Sequence, residues 1–452
     1  MSSQYRRRDF LKTGAGITAS LGIAGAVLPA WASPAAKPLD TVRIGFVGAG
    51  GMGSNHVKNL LAIEGTELKA ICDINPETVE RIQQLVVKSG QRKPTGYSRS
   101  ERDFERMCNE EDLDLVYTAT PWEWHVPVCV AAMKAGKHAI TEVPAAVTLE
   151  ECWEMVETSE KTGKYCIMQE NVNYMRPELM MLNLVRKGML GELLHGEAGY
   201  MHDLRSIKMG DTGEGHWRYA HSAKRNGNLY PTHGLGPLAW CMDINHGDRF
   251  DYLVSASTNA RGLNLYAKEH LSADNPKRKI DFINGDVNSS LIRTVNGKTI
   301  VLQHDCDTPR PYSRTNLIQG TKGIFRGYPE PVVHIEGRSP EHKWEDATEY
   351  YEKYDHPLWK HMEKLRAEET AAGNDVIGGV SHGGADFIED YRLIQALRTG
   401  VAPDYDVYDA ASWSAVSALS EKSVANRSRS MDFPDFTRGK WKTNPPVRIM
   451  GV

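Results

Sequence analysis

Residues Arg43–His56 read RIGFVGAGGMGSNH. An apolar run rich in β-branched residues, VRIGFV, stops at Gly48. Gly48, Gly50 and Gly53 then fall in the order G-x-G-x-x-G, and the helix-like stretch MGSNHVKNLLAIEG follows. Alone the glycine spacing says little. Between a strand and a helix each glycine has a mechanical role. Gly48 makes the tight turn, Gly50 admits a pyrophosphate to the backbone, and Gly53 lets helix meet strand. Gly51 and Met52 belong to the same turn, over a helix N-terminus that favours anions. Asp73 lies 20 residues past Gly53, at the end of the next strand, ELKAICD. A carboxylate there binds a ribose diol and repels a 2′-phosphate. The stretch therefore predicts an NAD site in preference to an NADP site.

Short apolar strands and amphipathic helices keep alternating from there. The strands TGYS, LDLVYTATP, HAITEV and YCIMQE are separated by the helices PETVERIQQLVVKSG, HVPVCVAAMKAG and TLEECWEMVETSEKTG. This pattern predicts a parallel sheet with helices on both faces. Near Glu170 it changes. After the helix RPELMMLNLVRKGMLG come longer alternating runs, with hairpin signals at Asn296–Gly297 and in TNLIQGTKGIFRGY. Two helices, ADFIEDYRLIQALRTG and DAASWSAVSALSEKSVANRS, follow late in the chain. The expected fold is α/β: an N-terminal Rossmann dinucleotide-binding domain over 41–169, then an α+β domain with a largely antiparallel open sheet over 170–441, then a tail, 442–452. An open sheet of this kind can pair with a second copy of the chain.

The first 32 residues read as a signal peptide. A basic start with Arg7–Arg8 before DFLK, an apolar stretch diluted by Gly and Thr, and small residues at Ala30 and Ala32 resemble a twin-arginine signal cut near Ala32. A linker, 33–40, follows. The expectation is export to the periplasm or beyond, without stable insertion in a membrane. A net charge of -4 favours neither nucleic acid nor an anionic surface as partner. The seven cysteines form no C-x-x-C pair, and Cys72 and Cys129 lie in apolar runs, as buried thiols do. No complete set of metal ligands shows a recognisable spacing, so no metal is expected.

Taken together, the glycine turn, ATPWEWHVPVCVAAMKAGKHAITEVP and the trailing sheet region resemble the Gfo/Idh/MocA oxidoreductases. More narrowly, WEWH, TEVPAAVTLEECW, QENVNY, GYMHDLR, GHWR, NLYPTHGLGP and DFPDFTRGKW resemble glycoside hydrolase family 109, the NAD-dependent α-N-acetylgalactosaminidases. The resemblance runs from about Thr41 to Trp441. It departs from the dehydrogenase pattern at two places. Where those enzymes read E-K-P, this chain reads Glu142–Val143–Pro144. Where they carry an aspartate four residues before a histidine, this chain has Leu229, next to Tyr230 and before His233. A cationic proton handler and its carboxylate partner are both missing.

The resemblance implies a glycosidase without the usual pair of carboxylates. In that family the bound NAD accepts a hydride from C3 of the sugar, the resulting ketone acidifies C2, loss of the C2 proton expels the aglycone, water adds, and the hydride returns. A cofactor restored in every turnover needs no soluble pool, which reconciles a nicotinamide fold with export. By resemblance, His233, Tyr230 and Tyr312 are the catalytic candidates, and Tyr200 and Arg218 join them in holding the sugar. Imidazole ordinarily titrates close to neutrality and suits proton transfer, whereas a phenol needs a neighbouring positive charge, such as Arg218 or the nicotinamide ring. Trp122, Glu123, Trp124, His125, Glu142, Val143 and Asn171 are expected to border the cofactor, and Glu142 also to reach sugar hydroxyls. Tyr174 is a weak candidate for a sugar contact, and His382 reads more as a helix cap than as a site. The base for C2 and the identity of the sugar stay open. Two other readings are a periplasmic sugar oxidoreductase with tightly bound NAD(P) and a non-catalytic sugar-binding protein.

Overall fold

The computed structural model describes residues 37–371 and 382–450. The expected signal and the first half of the linker, 33–36, lie outside them. The described residues all fall in one compact unit.

Six parallel strands build the first sheet: β1 (Val42–Val47), β2 (Thr66–Cys72), β3 (Thr95–Tyr97), β4 (Leu115–Thr118), β5 (His138–Thr141) and β6 (Cys166–Met168), in the order β3-β2-β1-β4-β5-β6. β1 pairs with both β2 and β4, so the order reverses there and a crevice opens at the carboxyl ends of the strands. All four residues of β4 are buried, as in a sheet covered on both faces. The helices between the strands are α1 (Gly51–Ala62), α2 (Pro76–Lys88), α3 (Asp103–Glu110), α4 (His125–Lys134) and α5 (Leu149–Thr162). Their ends follow local rules. Asn75 caps α2 ahead of Pro76, and Thr148 and Glu151 form a reciprocal capping box on α5.

α6 (Arg176–Arg186) leads into a nine-stranded sheet. Its strands are β7 (Leu193–Met201), β8 (Phe250–Ser257), β9 (Asn288–Thr294), β10 (Thr299–Asp305), β11 (Leu317–Gly320), β12 (Gly323–Arg326), β13 (Val332–Ile335), β14 (Glu345–Asp346) and β15 (Met431–Asp432). Both expected hairpins form, β9–β10 and β11–β12, and Gly297 takes φ 91° in the first. Every pairing is antiparallel except one. β7 is inserted between β11 and β10 and runs parallel to β10.

Three further helices matter for the site. α7 (Thr232–Cys241) lies across β7, α8 (Ala385–Thr399) packs on α1, and α9 (Val407–Ala425) packs on α5, β6 and β8. Helices late in the chain thus close over the first sheet. All seven cysteines are buried free thiols, and burial pushes Cys72, Cys108, Cys241 and Cys306 up to about 12. Among the described residues no helix is long and apolar enough to cross a membrane.

Candidate active site

The glycine turn has the expected mechanics. Gly48 sits at φ 79°, and a Cβ on Gly53 would lie 2.0 Å from the Gly48 carbonyl oxygen, so the first turn of α1 passes too close to β1 for any side chain there. Gly50 and Gly51 are different: a Cβ on either would meet no protein atom within 4 Å. They leave an open cradle beside Met52. The α1 N-terminus has no side-chain cap and no acidic residue in its first turn. Its free N–H groups and positive dipole end fit a pyrophosphate. Asp73 also braces the turn. It accepts from Ala49 N and from Asn75 N, each at 2.9 Å. Arg81 donates to Ala49 O and Ser54 Oγ at 3.0 Å from the other side. These residues fit a dinucleotide.

The segment after β4 divides its labour. Trp122 is buried and faces a ring cluster: its centroid lies 4.7 Å from His221, 5.1 Å from Trp217 and 5.7 Å from Tyr230. Glu123 pairs with His221 at 3.4 Å, and that hydrogen bond holds its carboxyl below the usual range. Trp124 turns its edge to Phe104, a core residue. Both ring nitrogens of His125 face backbone carbonyls, Thr120 O and Pro144 O, at 2.8 Å. Of WEWH, then, Trp122 reaches the tyrosines, while Trp124 and His125 pack and brace the edge.

At the end of β5 the missing lysine is answered from elsewhere. Val143 is buried, and Glu142 Oε1 meets His56 Nε2 at 2.6 Å. His56 Nδ1 meets Asp390 Oδ2 at 2.8 Å and the Tyr117 hydroxyl at 3.0 Å. Burial opposes a charge on the His56 ring, but Asp390 and Glu142 together outweigh it and hold the ring well above its usual value. Burial would likewise raise Glu142, and its bond to His56 more than reverses that. The cation beside Glu142 therefore comes from α1, not from position 143.

α7 delivers the central histidine. Gly234 allows the close crossing, since a Cβ there would fall 2.6 Å from Gly199 N of β7. His233 is thereby set 5.4 Å from the Tyr200 ring and 4.9 Å from the Tyr230 ring. His233 Nδ1 lies 2.7 Å from Glu170 Oε1, and Nε2 lies 3.5 Å from the Tyr230 hydroxyl. A carboxylate can only accept, so Nδ1 donates to Glu170 and Nε2 is turned to the tyrosine side. Tyr312 stands 6.1 Å from Tyr200 and 5.0 Å from His202. Burial pushes the Tyr230 phenol well above its usual value. Arg218 opposes that only from the ring face. Its guanidinium lies 5.1 Å from the Tyr230 centroid and 5.0 Å from that of Trp122, and its Nε pairs with Glu214 at 2.9 Å.

Asn171 donates to Asp386 at 2.6 Å and contacts His382 Nδ1 at 3.2 Å. Its Oδ1 and the Glu170 Oε2 are buried without a partner among the described residues. His382, at φ 58°, also pairs with Asp386 in the first turn of α8, so it ties that helix to Asn171. Tyr174 is fully buried and donates to Asp404 at 2.9 Å, a packing role. His202 bonds the Tyr200 hydroxyl and Asp203 is taken by Arg205. His246, Asp406 and Asp409 could hold a metal ion by distance, but Asp406 and Asp409 cap α9 with their carboxylates. Sequence reading passed over Glu170, His56, Asp390 and Arg314. Glu170 stood inside QENVNY and His56 ended the opening stretch, and neither carries a local signal of its partner.

Residues 42–170 match the family model of the oxidoreductase family, NAD-binding Rossmann fold, and residues 174–443 match that of the glycosyl hydrolase 109 C-terminal domain. The chain belongs to glycosyl hydrolase family 109. A family 109 protein of Shewanella pealeana is 49% identical over 99% of this chain and 100% of its own length. An α-N-acetylgalactosaminidase of Shewanella oneidensis is 49% identical over 99% of each chain. Among solved structures, an oxidoreductase domain protein from Kribbella flavida superposes with TM-score 0.66 at 19% identity, covering 88% of this chain and all of that one. Levoglucosan dehydrogenase, in complex with NADH and levoglucosan, superposes with TM-score 0.65 at 19% identity over 87% and 100%. These share the fold. The family 109 chain described here is an NAD-dependent glycoside hydrolase.

Proposed function

We propose that this family 109 enzyme removes terminal α-N-acetylgalactosamine from glycans, with NAD kept bound and restored in each turnover, after twin-arginine export of the loaded protein to the periplasm. The observation that carries the reading is the His233–Glu170 pair set among Tyr200, Tyr230 and Tyr312, joined through Trp122 to the edge where the glycine turn lies. The Shewanella oneidensis relative gives the substrate class. Arg7–Arg8 and the apolar stretch after them support the export route.

When bound, NAD supplies reversible hydride transfer at the sugar's C3. The protein's own part is to move protons and to orient the ring. His233 Nε2, turned to the tyrosine side by the Glu170 contact, takes the proton of the C3 hydroxyl and later returns it. Glu142, held ionised by His56, accepts a hydrogen bond from a sugar hydroxyl and so fixes the ring against the cofactor edge. Tyr230 and Tyr312, each beside Tyr200, serve the proton taken from C2 and the one given to the leaving oxygen. Trp122 and Tyr200 offer flat apolar surface that excludes water. Oxidation and reduction cancel, so the net change is hydrolysis.

The test is to incubate the purified protein, with no cofactor added, with aryl α-N-acetylgalactosaminide. Release of the phenol, NAD in the native mass spectrum and a slower turnover with deuterium at C3 are expected. Oxidised, uncleaved sugar would instead establish an oxidoreductase, and tight sugar binding without C2 hydrogen exchange would establish a binding protein.

A further inference from the structure

Proton transfer by Tyr312 raises a physical difficulty. Tyr312 is 37% exposed, yet the burial it does have raises its phenol above its usual value. Tyr200, Tyr328 and His202 surround it, and burial keeps His202 below its usual value and therefore neutral. Glu170 and Glu178 act on it from farther off and raise it further. Arg314 opposes them. Its Nη1 donates to the Tyr312 hydroxyl oxygen at 3.1 Å, and its guanidinium lies 5.5 Å from the Tyr312 centroid and 5.0 Å from that of Tyr328.

Arg314 is itself firmly held. It is 2% exposed, and Nη2 donates to Glu178 Oε1 at 2.8 Å and meets Met175 Sδ at 3.0 Å. Asn316 donates to the same Glu178 oxygen at 3.0 Å. The chain takes left-handed backbone at Thr315 (φ 58°) and Asn316 (φ 50°), a costly geometry for a β-branched residue. That double turn brings Arg314 and Asn316 to one carboxylate. A guanidinium needed only for packing would be satisfied by Glu178. This one also directs a fork nitrogen to a hydroxyl that borders the sugar site.

We propose that Arg314 is the positioning residue of Tyr312: clamped by Glu178, it aims the phenol and stabilises the phenolate, so that Tyr312 acts as a base toward the bound sugar. This rests on the reading of the site as proton-handling machinery. In the step, the phenolate oxygen takes a proton from the substrate. An O–H bond forms, and the electron pair of the broken bond stays on the substrate. The phenol gives the proton back in the return half of the cycle, so no other reactant is consumed. A planar fork with one nitrogen on Tyr312 and the other on Glu178 also explains an arginine here in place of a lysine, because it fixes direction as well as charge.

The holoenzyme and its Arg314→Met, Arg314→Lys and Tyr312→Phe variants are titrated by tyrosinate ultraviolet absorbance, with Tyr312→Phe as the subtracted reference. The acid limb of the kcat profile on an aryl α-N-acetylgalactosaminide is measured in parallel. In Arg314→Met the Tyr312 phenol is expected to titrate at least one unit higher, kcat at neutral pH to fall about tenfold or more, and KM to change far less. Arg314→Lys is expected to restore part of the shift. The double variant Arg314→Met, Glu178→Gln avoids stranding the buried carboxylate and is expected to move the titration the same way. An unmoved Tyr312 titration in a folded variant refutes the role of Arg314 alone. Full turnover by Tyr312→Phe refutes the proton-handling reading of Tyr312, and this inference with it.

Discussion

His56→Gln tests the buried pair beside Glu142, and its cost can be worked from the structure. His56 is fully buried between Glu142 at 2.6 Å and Asp390 at 2.8 Å, and Glu389 packs nearby with its carboxyl pushed well up by burial. Removing the imidazolium strands a carboxylate, and breaking a buried pair in this way typically costs roughly 3–5 kcal/mol. Protonating the stranded group sets a ceiling on that cost. A carboxyl of ordinary pKa about 4.3 is neutralised at pH 7 for about 3.7 kcal/mol, at 1.36 kcal/mol per unit. The expected loss is therefore about 3–4 kcal/mol at pH 7.

The pH dependence follows from the direction of each shift. The folded pKa of His56 is raised, so its contribution is complete below the unfolded value near 6.5 and fades as pH rises through the folded value. The folded pKa of Glu142 is depressed, so its contribution holds above the unfolded value and fades as pH falls through the folded one. From pH 7 to pH 5 the wild type gains about 0.8 kcal/mol from histidine linkage, while neutralising the variant's carboxylate becomes cheaper by about 2.7 kcal/mol. The gap between the two proteins should narrow by about 2 kcal/mol. Urea unfolding followed by circular dichroism at both pH values measures it. A variant as stable as wild type at pH 7, or a gap that does not change with pH, would refute the charged pairing of His56.

Other substitutions separate cofactor binding from folding and chemistry. Gly51→Ala starts α1 and meets open space, so the variant should keep its melting temperature yet lose NAD on native mass spectrometry. Gly53→Ala drives a Cβ into the Gly48 carbonyl and should unfold more easily by roughly 1–3 kcal/mol in urea, cofactor or none. Glu170→Gln replaces a charge-assisted bond to His233 with a neutral one and should lower kcat about 10-fold or more in steady-state assays, with KM little changed. Asp73→Asn keeps an acceptor for Ala49 N, gives up the one for the exposed Asn75 N and removes the charge, so NADP affinity by calorimetry should rise.

What the sequence makes legible is what local rules govern. The glycine turn, the alternation of strands and helices, and the Asn296–Gly297 hairpin each depend on neighbours a few residues away. The insertion of β7 between β10 and β11 depends on strands about a hundred residues downstream, and no periodicity announces it. The candidate site divides the same way. His233, Tyr230 and Trp122 stand in recognisable motifs and do meet. Their partners do not: Glu170 is 63 residues from His233, and Asp390 is 334 from His56.

The departure at position 143 shows why the second kind of fact matters. Read along the chain, Val143 signals the loss of a cation beside Glu142. Read in space, the cation has moved to His56, on the helix that the phosphate turn begins, and is held by a carboxylate from a helix near the end of the chain. A lysine at 143 would present its own transferable proton to the substrate. A doubly bonded, fully buried imidazolium presents none, so it fixes Glu142 as an acceptor and leaves proton transfer to His233 and the tyrosines. The same replacement explains how a dehydrogenase-like scaffold suits a reaction in which oxidation is only a passing state.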